Sequence, residues 1–165
     1  MFNAAGGNGR LTMKKEGDCK KVLLFTIGFA QKSAEEFFSR LKTAQIKTLI
    51  DIRLNNNSQL AGFTKKEDLR YFLKELCDIS YKHMLEFAPT EEILDGYKKK
   101  TITWEQYETK YNELIEKRGI ADQIGPSDLH MACFLCSEPT ADKCHRRLLA
   151  EYFNKRFPNI RICHL

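Results

Sequence analysis

The chain has 165 residues, 30% of them charged and 42% apolar, with a net charge of +5. That length buries a core large enough to fold without disulfide or metal staples, and the mild basicity permits a phosphate-bearing partner without demanding one. Six cysteines in a chain this long, with no secretory leader, read as reduced thiols of a cytoplasmic protein rather than a secreted disulfide scaffold, and no apolar run is long enough to span a bilayer.

Residues 1–20 read as a flexible leader or an expression scar, glycine- and asparagine-rich at first, with Met13 a natural starting point. A single α/β domain is expected over 21–165. VLLFTI (22–27) is an apolar strand closed by Gly28. SAEEFFSRLKTA (33–44) is a helix capped by Ser33, with Phe37, Leu41 and Ala44 on its buried stripe. KTLIDIR (47–53) is a strand, followed by a polar loop and a helix over 65–76 with Thr64 as its expected cap.

ISYKHM (79–84) is a short strand. Two helices follow, each begun by a threonine. On the second, Trp104, Tyr107, Tyr111 and Leu114 share a face, which reads as core packing rather than a stacking platform for bases. After a long connection over 119–128, LHMACFL (129–135) is a strand, 143–157 a helix, and NIRICHL the last strand. Strands apolar on both faces and alternating with helices predict an α/β fold. It is a single three-layer domain with a mainly parallel sheet flanked by helices on both faces.

In such a sheet, function gathers at the carboxyl ends of the strands. Those ends offer Gly28, then Asp51 and Arg53, then Cys136 with Glu138, and last His164. A helix capped by Asp142 would put Cys144, His145 and Arg146 in its first turn. Its free amides and dipole would lower the Cys144 pKa, and with Arg53, Arg146 and Lys143 would receive a phosphate or carboxylate. An aromatic wall could come from Phe29, Phe63 or Tyr81. No Walker loop or G-x-G-x-x-G is present.

Other readings stay open at this point. Asp51 and Arg53 also suit a structural ion pair, and Cys136 a small buried hydrophobe. A structural zinc site is disfavoured. Cys133 and Cys136 point to opposite faces of a strand, and adjacent Cys144 and His145 do not easily turn to one ion. A looser site drawing on Cys136, Cys144 or His145, and His164 is an alternative.

The segments FTIGF, LIDIR, ISYKHM, EFAPTEEILDGYKKKTITWEQYETKYNELI, LCSEPTADKCHRRLLAEYF and ICHL together resemble domain-of-unknown-function family 488, over about 22–165. The resemblance implies a compact α/β domain of a bacterial or archaeal cytoplasm and supplies no reaction and no cofactor. Its pattern falls on Gly28, Asp51, Arg53, Ser58, Phe63, Tyr81, Cys136, Glu138, Cys144, His145, Arg146 and His164. The chain departs from it at Phe29 and Ala30, where a histidine or tyrosine and a serine are common, and at Asn55–Asn57, where proline is usual.

The expected site therefore has Cys136, Glu138, Cys144 and His145 as catalytic groups. Gly28, Asp51, Arg53, Ser58, Phe63, Tyr81, Arg146 and His164 are its binding groups. The expected function is an enzyme or a ligand-binding protein for a small anion, most simply phosphate. A nucleic-acid-associated module and a redox or metal-binding protein are the alternatives.

Overall fold

The computed structural model describes residues 21–57 and 62–165. In chain order the elements are β1 (Val22–Gly28), α1 (Ala34–Thr43), β2 (Thr48–Asp51), α2 (Lys66–Cys77), β3 (Ser80–His83), α3 (Glu91–Lys98), α4 (Trp104–Arg118), α5 (Pro126–Leu129), β4 (Ala132–Cys136), α6 (His145–Arg156) and β5 (Ile160–His164). The five strands pair in the order β3-β2-β4-β1-β5, and every pairing is parallel. The expected α/β fold is present. The leader and Ser58 lie outside the described residues.

Side-chain alternation along the strands divides the core in two. Phe25, Ile27, Leu49, Cys133 and Leu135 pack against Phe37, Phe38 and Leu41 of α1 and Leu69 and Leu73 of α2. On the other face, Leu24, Ile50 and Phe134 meet Tyr107, Tyr111 and Ile115 of α4 and Leu148, Leu149 and Phe153 of α6. A fully buried side chain of this size contributes roughly 1.5–3 kcal/mol, so the two layers together oppose the entropy of ordering the chain.

β1 and β2 therefore send their chains to one face of the sheet, and β4 sends its chain to the other. β4 lies between β1 and β2. The loops leaving its carboxyl end diverge from both neighbours, which opens a crevice there.

Three local expectations differ from the structure. Ser33 caps α1, its Oγ accepting from the Glu36 amide at 3.1 Å, and Thr103 and Gln106 form a reciprocal capping box on α4. Thr64, however, does not cap α2. It ends a 3-10 turn over Gly62–Thr64, Lys65 takes the N-cap position, and the Thr64 carbonyl accepts from Arg53.

Residues 129–131 are not strand. Leu129 ends the short helix α5, and Met131 adopts a positive φ of 61° before β4 begins. Nor does Asp142 cap α6: Cys144 is the N-cap residue, in extended conformation, and His145 opens the helix. Among the described residues no helix is long and apolar enough to cross a membrane. The five described cysteines are all free thiols.

Candidate functional site

Cys136 is the last residue of β4 and lies opposite Gly28 of β1 in the parallel register. The chain then crosses over the end of β1: the Phe29 amide donates to the Cys136 carbonyl at 3.3 Å and the Ala30 amide to the Ser137 carbonyl at 3.0 Å. This crossing is why position 28 is glycine. A Cβ there would collide with the Glu138 carbonyl oxygen and come within 2.7 Å of Arg146 Nη1. Its φ is not in the left-handed region, so the requirement is for space.

At the start of α6, His145 turns inward beneath β4. Its Nδ1 lies 3.7 Å from Cys136 Sγ, and its Nε2 lies 3.1 Å from the Ile52 carbonyl oxygen. A carbonyl only accepts, so Nε2 carries a proton, and Nδ1 is the atom that exchanges one with the sulfur. Tyr111, fully buried and tethered by its hydroxyl to the Phe87 carbonyl at 2.7 Å, packs against the imidazole at 5.6 Å between centroids.

The two sulfurs have opposite acidities. The Cys136 pKa is held well below the usual thiol value, first by the neighbouring Cys144 thiol. Burial opposes this, while the charge of His145, its hydrogen bond and the Glu138 amide assist it. Cys144 is pushed well above the usual value by burial and by the negative charge gathering on Cys136. For His145, burial lowers the pKa, but attraction and hydrogen bonding to Cys136 outweigh it, and the net shift is upward. These directions favour negative charge on Cys136 over Cys144 and positive charge on His145 beside it. The expectation that the helix start would acidify Cys144 is thus reversed in direction. The N-cap sulfur is buried next to a better-placed thiolate, and only one of the pair takes the charge.

Arg146 does not reach into the opening. It is 1% exposed. Its Nη1 donates to the Glu138 carbonyl at 2.6 Å and to Cys144 Sγ at 3.5 Å, and Nη2 to the Pro139 carbonyl at 3.5 Å. It holds the β4–α6 loop in its path over Gly28.

Arg53 is likewise spent mainly on structure. It forms a two-pronged pair with Asp51, Nε to Oδ1 at 2.8 Å and Nη2 to Oδ2 at 2.6 Å, and Nη2 also donates to the Thr64 carbonyl at 2.9 Å. Its guanidinium lies 5.3 Å from the centre of the Phe29 ring. Tyr81 donates to Asp51 Oδ2 at 2.7 Å, and burial together with that carboxylate pushes the phenol upward in pKa. Asn56 donates to the Tyr81 hydroxyl at 3.2 Å.

A cleft of about 470 Å³ opens above these groups. Cys136, Cys144 and His145 form its foot, and Arg53, Glu138, Lys98 and Lys143 stand around it. Its aromatic wall is Tyr97 of α3 with Trp104 and Tyr107 of α4, and none of the three aromatic residues expected there takes part. Phe63 instead packs on Phe37 and Phe38 on the opposite layer, Tyr81 belongs to the Asp51 network, and Phe29 lies against Arg53.

His164 also stands apart: its Nδ1 bonds Thr26 Oγ1 at 2.7 Å, on the far side of β1 from β2, and burial lowers its pKa. The shared opening therefore unites Arg53, Cys136, Glu138, Cys144 and His145. Gly28, Asp51, Tyr81 and Arg146 support it from behind, and Phe63 and His164 are left outside.

Ligand atoms of Cys136, Cys144 and His145 also lie within 4.8 Å of one another, all buried, so these side chains could converge on a metal ion. Adjacency in the chain does not prevent this, because Cys144 is extended and His145 helical, and both side chains turn inward.

The family model for the domain of unknown function DUF488 matches residues 33–153. The chain belongs to that family. No match was found among curated proteins or solved structures. The DUF488 match covers the cleft in full: the Asp51–Arg53 pair, the aromatic wall, and the Cys136-to-Arg146 segment all fall inside it.

Proposed function

We propose that this DUF488 chain is a thiol-dependent enzyme acting on a small phosphate-bearing molecule bound in the cleft, with Cys136 as nucleophile. The observation that carries the reading is the 3.7 Å approach of Cys136 Sγ to His145 Nδ1 at the foot of the opening, with His145 pinned through Nε2 to the Ile52 carbonyl. A nucleophile, a base within reach and a group that orients the base are the elements of covalent catalysis.

In this reading the Cys136 sulfur attacks an electrophilic centre of the ligand. The new bond is to sulfur, the bond to the leaving group breaks, and His145 gives its Nδ1 proton to that group. Cys144 stabilises the thiolate before attack, and Glu138 handles protons nearer solvent. Lys98 and Lys143 stand against one carboxylate, Glu138, around the cleft, with Arg53 already neutralised by Asp51, a balance that favours an anion. Arg146, assigned to the anion by its sequence position, serves instead as a brace for the loop.

Brief treatment with iodoacetamide at about pH 7, followed by peptide mass spectrometry, tests this. Cys136 is expected to be carboxamidomethylated at least tenfold faster than Cys77 or Cys163, and millimolar inorganic phosphate to slow it. Labelling no faster than at those two thiols removes Cys136 as an activated nucleophile. A second reading, a resident metal on the three inward-facing donors, predicts stoichiometric zinc in the purified protein and Cys136 labelling only after chelation.

A further inference from the structure

The wall of the cleft is built for more than an anion. Trp104 and Tyr107, three residues apart on α4, stack at 5.2 Å with planes 17° apart. Tyr97 of α3 closes the cluster at 5.6 Å from Trp104 and 5.4 Å from Tyr107. Tyr107 is 2% exposed and belongs to the core, whereas Tyr97 and Trp104 are only partly buried. The Arg147 guanidinium lies 6.0 Å from the Trp104 ring centre. This helix stripe thus has two roles: Tyr107 and Tyr111 fill the interior, and its first residue reaches the cleft that holds the thiol.

We infer that the ligand carries a flat conjugated ring joined to its phosphate, as a mononucleotide does, and that Tyr97 and Trp104 receive the ring. The inference rests on the anion reading of the cleft and adds the chemistry of the rest of the ligand. A cleft of about 470 Å³ has the size of a small-molecule site, and free phosphate would fill only a small part of it. The remaining volume borders aromatic carbon, which a polar acyclic ligand would not use. Rings of every base type have a face for such contacts, and cations beside the aromatic cluster suit a charged substituent on the same molecule. Lys98 follows Tyr97 directly in the chain, so one segment of α3 supplies both a ring and a charge.

Trp104 is the chain's sole tryptophan, so fluorescence excited selectively at tryptophan, beyond tyrosine absorption, reports this wall. Titration with AMP, adenosine, ribose 5-phosphate and inorganic phosphate separates the components, with protection of Cys136 from iodoacetamide as an independent readout. AMP is expected to change the fluorescence saturably and to protect at concentrations at least about tenfold below those of ribose 5-phosphate, a difference within reach of one base–aromatic contact. Trp104→Leu should bring the two ligands' protecting concentrations together. Equal protection by ribose 5-phosphate and AMP in the unaltered protein overturns the ring inference and leaves the anion reading standing. Equal binding of adenosine and AMP overturns the anion reading instead, and failure of all four ligands overturns both.

Discussion

Replacing Asp51 with alanine should destabilise the protein by about 3–5 kcal/mol, because it strips the countercharge from a guanidinium that is 3% exposed. Asp51 satisfies Arg53 Nε, Arg53 Nη2, the Arg53 amide and the Tyr81 hydroxyl at once. Truncation removes an acceptor from all four donors and leaves only Arg53 Nη2 with another, the Thr64 carbonyl, in a place that water does not reach easily. In a chain of this length the loss corresponds to a drop in melting temperature of roughly 6–20 °C. The double variant Asp51→Leu with Arg53→Met should recover much of it, since an apolar pair of similar bulk carries no desolvation penalty. A loss below about 1 kcal/mol for Asp51→Ala would mean that the pair is open to solvent and that Arg53 is free to bind ligand, contrary to the geometry.

The second large effect is expected at Gly28→Ala. A methyl group there overlaps the Glu138 carbonyl oxygen, which is backbone and does not swing away as a flexible side chain would. Overpacking of a core usually costs about 1–3 kcal/mol, and this overlap is deeper than a crowded side chain, so a loss of about 3 kcal/mol or more is expected. The displacement also reaches the chemistry. The Glu138 amide helps to lower the Cys136 pKa, and its carbonyl accepts from Arg146. The variant should therefore lose enhanced Cys136 alkylation even where it stays folded, as judged by circular dichroism. Stability within about 0.5 kcal/mol of the unaltered protein, with labelling unchanged, would show that the β4–α6 loop does not cross over β1 in this way.

Much of this arrangement is legible in the residues. Runs for β1, β2 and β4 that are buried on both faces, alternating with amphipathic segments, specify a parallel sheet between helices, while the half-polar runs of β3 and β5 suit its edges. The carboxyl-edge rule then brings Arg53, Cys136 and His145 together from three segments.

What the residues do not give is strand order. β5 adds next to β1 on the side away from β2, so His164 reaches the correct edge of the sheet but not the cleft. Position in a helix's first turn does not say which way a side chain leaves it. Arg146 looks like an anion receptor by position, yet turns into the loop carbonyls. Helical periodicity also cannot separate a core stripe from one that ends at a cleft, and so it groups Trp104 with Tyr107 and Tyr111 as interior. Cys144 departs from expectation because a helix dipole acts on any first-turn sulfur, whereas the deciding influences are burial and the Cys136 sulfur that only the fold brings near.

The central claim is that Cys136 is held as a thiolate by His145, Cys144 and the Glu138 amide at the carboxyl edge of the sheet. The rate of Cys136 alkylation as a function of pH, followed by mass spectrometry in the unaltered protein and in His145→Gln, tests it most directly. A lowered thiol pKa puts the reactive form on the acid side. The unaltered protein should reach its plateau well below the ordinary thiol range of about 8.5, and His145→Gln should move the inflection upward toward that range. An unaltered Cys136 that titrates at or above about 8.5, or a profile that His145→Gln leaves in place, would contradict the account.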